Sequence, residues 1–108
     1  MSTDYQIVFC NCPDKGTAEK IAYVLIENNV AACVNIVPNM TSIYRWQGEI
    51  EQVEECLLLI KARQDIYPQL ESLIKQHHPY QLPEIIAVAI ERGLPDYLHW
   101  IDSCHSFN

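Results

Sequence analysis

The order in which two hydrophobic periods alternate constrains this chain more than any other feature. Ala18, Ile21, Ala22, Leu25 and Ile26 follow a helical period, and Ile66, Leu70, Leu73, Ile74 and His77 fall on one helix face. Each helical segment stands between runs of β-prone residues. Tyr5 to Cys12 predicts a first strand, and its nearly continuous Ile7-Val8-Phe9-Cys10 suits a central position. Pro13 ends it, lacking a ladder donor, and Asp14 offers an N-cap oxygen to the helix that follows. Asn28-Asn29 stops that helix by taking the left-handed conformation. Val30 to Val37 predicts a second strand, with a turn or kink at Pro38-Asn39. Ser42 to Trp46 alternates, Gln47-Gly48 supplies a turn and Ile50 to Ala62 returns, making a long hairpin with an aromatic-bearing tip. Asp65 is expected to cap the second helix, with Pro68 in its first turn. The helix stops near His77, because Pro79 disfavours helical geometry at His78. Glu84 to Glu91 predicts a last, buried strand, and Leu94 to Cys104 a short helix with Leu98 and Ile101 inward.

Strand, helix, strand, strand, helix, strand is the α+β pattern of a ferredoxin-like sandwich, here with an extra C-terminal helix. Two helices cover one face of a four-stranded antiparallel sheet, and the other face needs a cover. A small chain with such a face and a long hairpin is expected to oligomerise. No linker, charge block or repeat divides the 108 residues, so 1–108 reads as a single domain.

Charge and composition remove several functions. Seven bases against fourteen acids leave a net charge of −7, with the bases scattered, which argues against nucleic acid and against an anionic membrane surface. The longest apolar run, Ile85 to Ile90, falls far short of the roughly 20 residues of a membrane helix. The first residues carry no basic and apolar leader, which predicts a cytoplasmic protein with reduced thiols. Five cysteines, an odd number, suit no closed disulfide framework.

The thiols and imidazoles are therefore candidate ligands or nucleophiles. Cys10 and Cys12 sit two apart at the end of the first strand, so they share a face. Cys10 reads either as a small core residue or as a ligand. Cys12, beside Pro13 and a helix N-terminus, reads as the more reactive thiol. His77-His78 reads either as a helix-end charge partner with a solvated neighbour or as one or two metal ligands. Thiolate with imidazole suits copper or zinc better than magnesium or calcium. Cys33 and Cys56 read as core, His99 and Trp100 as packing of the last helix, and Cys104 and His105 as a fraying tail. Tyr44 and Trp46 read as cross-strand packing or as an oligomer interface. No Gly-rich phosphate loop or oxyanion-forming loop is visible, so nothing here calls for an enzyme.

The motifs together resemble one family. Cys10 with Pro13-Asp14, Ala31-Ala32-Cys33, Ser42-Ile43-Tyr44-Arg45-Trp46-Gln47-Gly48, His77-His78-Pro79-Tyr80-Gln81-Leu82-Pro83-Glu84 and Asp96-Tyr97-Leu98-His99-Trp100 are similar to the CutA (CutA1) divalent-cation tolerance proteins, from about Gln6 to Ile101. The resemblance implies a cytoplasmic homotrimer of PII-like architecture and a role in tolerance or response to divalent metal ions. It also implies copper(II) as ligand, with other divalent cations such as zinc, and assigns the metal to Cys10, His77 and His78. Cys12 departs from the family pattern and leaves the coordination open. The alternative is a PII-like trimeric signalling or scaffold module that binds a small molecule or protein, with metal binding incidental.

Overall fold

The computed structural model describes residues 3–105. Its elements are β1 (Tyr5–Cys12), α1 (Lys15–Glu27), β2 (Cys33–Trp46), β3 (Glu49–Arg63), α2 (Tyr67–His77), β4 (Ile85–Ala89) and α3 (Pro95–Cys104). The four strands form one sheet in the order β2-β3-β1-β4, every pair antiparallel. This is the ferredoxin-like arrangement that the alternating periods predict, with α3 added.

One face of the sheet packs against the helices. Val8, Cys10 and Cys12 of β1 and Cys56, Leu58, Ile60 and Ala62 of β3 form the core with Ala18, Ile21 and Leu25 of α1 and Leu70 and Ile74 of α2. The alternation follows from the pleat, which sends every second side chain to the same side. Asp14 accepts from the Thr17 N–H at 2.7 Å and so caps α1 as expected. Asn29 takes φ 58° just past the helix end. Gln47 and Gly48, at φ 50° and 85°, form the hairpin turn; two successive positive φ values match the right-handed twist of the strands.

Several expectations are corrected. The second strand starts at Cys33, because Val30 closes the helix end onto the Leu25 carbonyl and Ala32 bonds to Lys61. It then continues to Trp46, the register against β3 shifting between Val37 and Met40 so that Pro38-Asn39 forms a bulge with Asn39 at φ 60°. Cys33 is only half-buried, whereas Cys56 is in the core as predicted. Asp65 does not cap α2. A turn of 3-10 helix over Gln64–Ile66 leads into the helix, and the Asp65 carboxylate pairs with Arg63 instead.

The last strand is shorter than Glu84 to Glu91 and is not buried. Ile86 and Val88 are each 55% exposed on the face away from the helices. Their strand is a sheet edge whose one neighbour is β1. A continuous apolar run does not distinguish a core strand from an edge strand with an open face.

The tail reading of His105 is also overturned. Its Nδ1 donates to the Asn29 carbonyl at 2.8 Å and its Nε2 accepts from the Arg63 N–H at 3.2 Å, one neutral tautomer serving both. Together with buried Ile101 and Asp102, which accepts from Tyr5 at 2.8 Å and Arg63 at 2.5 Å, it seats α3 against the strand ends.

Candidate metal centre

The centre forms where β1 runs out. Cys10 and Cys12 face the helices and are fully buried, and Cys12 stands directly opposite Cys56 on β3. Between them, Asn11 points to the open face of the sheet. Its backbone carbonyl, however, is aimed at the segment that leaves α2.

Pro79 decides how that segment leaves. It holds His78 in extended geometry, φ −88° and ψ 133°, directly after the helix. The His78 N–H still reaches the Ile74 carbonyl at 2.8 Å, while the side chain swings over the end of β1. There Nε2 donates to the Asn11 carbonyl at 2.6 Å and Nδ1 accepts from the Tyr80 N–H at 3.2 Å. Both ring nitrogens thus have backbone partners consistent with neutral imidazole. The Tyr80 ring lies 4.7 Å from the imidazole, tilted by 54°. His77 goes elsewhere: it stays half-buried on α2, with Nδ1 3.0 Å from the Leu73 carbonyl.

The Sγ atoms of Cys10 and Cys12 and a ring nitrogen of His78 all lie within 4.8 Å of one another. Of the residues expected from the sequence, the fold therefore brings Cys10 and His78 together, adds Cys12 and leaves His77 outside the group. The Cys10 Sγ stands 3.8 Å from the Asn11 carbonyl. The neighbouring Cys10 thiol lowers the Cys12 thiol below its ordinary range, against the opposing effect of burial. The nearness of Cys12, with burial and the charges of Glu84 and Glu55, pushes the Cys10 thiol well up. A cation bound by both sulfurs would take the place of the thiol protons. Two sulfurs and one imidazole, closely grouped and screened from water, fit a soft or borderline metal and offer a hard cation nothing. To ligate through Nε2, His78 must give up the Asn11 carbonyl. The Cys12 contribution was traceable to its spacing from Cys10, but the Asn11 latch had no signal in the sequence.

Known proteins share this sequence and this fold. Residues 6–104 match the family described as CutA1 divalent ion tolerance protein. The divalent-cation tolerance protein CutA of Thermus thermophilus is 46% identical over 96 residues, covering 89% of this chain and 93% of that protein. The mouse Protein CutA is 43% identical over 93 residues, 86% of this chain; the chain spans about half (52%) of the length of that relative. A crystal structure of CutA from Xylella fastidiosa superposes with a TM-score of 0.94 at 42% identity, covering 96% of this chain and 100% of that one.

Proposed function

The chain belongs to the CutA1 divalent ion tolerance family, and from that premise we propose that it is a metal-binding protein serving tolerance of divalent cations, with copper the favoured ion and zinc the next. The observation that carries the reading is the grouping of Cys10, Cys12 and His78 within 4.8 Å. Cys10 and Cys12 supply thiolates and His78 supplies Nε2 or Nδ1. Their sulfur content favours copper over harder ions. His77 would enter only by releasing the Leu73 carbonyl, so its part is secondary. The protein's role is to hold the ion, with no bond made or broken in a substrate. In the cytoplasm, its proposed location, the thiols stay reduced.

The working form is proposed to be a homotrimer. Ile86, Val88 and Trp46 are exposed apolar side chains in the single chain, and their burial between protomers would give the open sheet face its cover.

Calorimetric titration of reduced protein with copper tests the metal reading. One ion per chain is expected, with the high-affinity phase lost in Cys10→Ser, Cys12→Ser and His78→Ala variants whose circular dichroism is native. Unchanged stoichiometry and affinity in all three folded variants would remove the site.

A further inference from the structure

The core holds three free thiols, Cys10, Cys12 and Cys56, and the metal grouping takes only the first two. Cys56 is the unused one. It stands directly opposite Cys12 in the antiparallel register of β1 and β3, and both side chains belong to the core on the helix face. Opposed residues in such a ladder have Cα atoms about 4.5 or 5.5 Å apart. Either spacing lies inside the roughly 4.4–6.8 Å window that a disulfide accepts. Cys10 with Cys12 is the competing pair. Two residues along a strand advance about 6.6 Å, at the far limit of that window. Joining them would also buckle β1 at Cys10, where it is paired on both sides, to Leu58 and to Ile85.

The backbone around Cys12 and Cys56 has room to adjust. Pairing of β1 with β4 stops at Cys10, so among the described residues Cys12 has Cys56 as its one register partner. On the other side of β3, the bulge moves the register from Val37–Leu57 to Met40–Glu55 and leaves Cys56 without a partner on β2 among the described residues. A bulge interrupts the ladder and lets the strand bend there. The same place gives access. Cys56 is 5% exposed and lines a groove of about 420 Å³ with Pro13, Lys15 and Asn39, whereas Cys12 is fully buried. A small oxidant therefore meets the pair at the Cys56 sulfur.

We propose that Cys12 and Cys56 form a reversible disulfide under hydrogen peroxide, a redox switch that withdraws Cys12 from the metal ligands. Peroxide oxidises the Cys56 thiol to a sulfenic acid and releases one water. The Cys12 sulfur then attacks the Cys56 sulfur, and its proton leaves with the displaced hydroxyl as a second water. Two thiols are oxidised to one disulfide while one peroxide is reduced to two waters. A thiol reductant reverses the step by exchange. Burial makes both thiols slow to react, so the switch answers to sustained oxidant rather than to brief pulses. The disulfide stands on the strand register alone; the release of metal rests on the metal reading given above.

The test treats metal-free protein in its native assembly with hydrogen peroxide, then alkylates, digests and maps it by mass spectrometry. A Cys33→Ser/Cys104→Ser variant, which keeps only the three core thiols, is treated alongside. Peptides joined through Cys12 and Cys56, and parted by dithiothreitol, are expected in both. Cys10→Ser should still cross-link and Cys56→Ser should not. Oxidised protein should bind copper about tenfold or more weaker than reduced protein, as Cys12→Ser does, and regain its affinity on reduction. The switch is overturned if peroxide joins Cys10 to Cys12, if the core cysteines go to separate sulfinic acids or stay free thiols, or if cross-linked and reduced protein bind copper alike. Reduced protein that binds no copper would remove the metal reading instead, and the cross-link, read by mass, would stand apart from it.

Discussion

His78 Nε2 donates to the backbone carbonyl of Asn11 at 2.6 Å, across 67 residues of sequence. This bond sets the imidazole over the strand end that carries Cys10 and Cys12. It also explains how a buried imidazole is tolerated without a metal, since the other ring nitrogen is satisfied by the Tyr80 N–H. Metal binding and this latch compete for the same nitrogen if Nε2 is the ligand.

Removing the latch should cost stability as well as metal. In His78→Ala the Asn11 carbonyl and the Tyr80 N–H lose their partners in a largely buried setting, a penalty of about 1–3 kcal/mol. Urea unfolding of metal-free protein reads it. A variant as stable as the native protein would show that water replaces the imidazole freely.

Cys12 and Cys56 should differ in metal binding although they face each other across β1 and β3. Cys12→Ser is expected to lower copper affinity by an order of magnitude or more, as loss of a thiolate ligand does. Cys56→Ser, with its sulfur outside the grouped set, should leave affinity within about threefold. Equal losses in the two would place the metal between the strands instead.

Acid should loosen the docking of α3. The Tyr5 hydroxyl, and after it Arg63, holds the Asp102 carboxyl below its ordinary value of 3.8. Its ionised form is favoured by folding, so this stabilisation is complete above that ordinary value and fades as pH falls through the lower folded value. Unfolding curves at about pH 6 and pH 3 should show a larger acid loss for native protein than for Asp102→Asn. Parallel losses would mean that other carboxylates carry the acid sensitivity.

The hairpin tip should control assembly. Tyr44 and Trp46 are 43% and 37% exposed in the single chain, beside Ile43 and Ile50 at 67% each. Trp46→Ala is expected to weaken the proposed trimer, seen as dissociation at micromolar concentration in sedimentation experiments and a melting temperature that depends on protein concentration. An intact trimer at low concentration with unchanged melting would make Trp46 a local packing residue.

Much of the fold was legible because its signals are local. Asp14 lies three residues from the N–H it caps, and Gln47-Gly48 needs only its own backbone freedom. Cys10 and Cys12 share a face by the geometry of any strand. The features that escaped depend on distant partners. Pro38-Asn39 becomes a bulge only because β3 continues opposite it. The Ile85 to Ile90 run reads as core until its position at the sheet edge is known. His105 is anchored by Asn29 and Arg63, far away in the chain. In the candidate metal centre both His77 and His78 were legible as candidates, but Pro79 and the Asn11 carbonyl determine that His78 is the imidazole beside the thiols.

X-ray absorption at the copper edge, on reduced protein loaded with one ion per chain, tests the central claim most directly. Coordination by Cys10, Cys12 and His78 predicts two sulfur scatterers at about 2.3 Å and one imidazole nitrogen at about 2.0 Å, distances taken from thiolate and imidazole ligation of zinc. The Cys12→Ser variant should show one sulfur. A first shell of nitrogen and oxygen alone in the native protein would contradict the account and move the metal away from the end of β1.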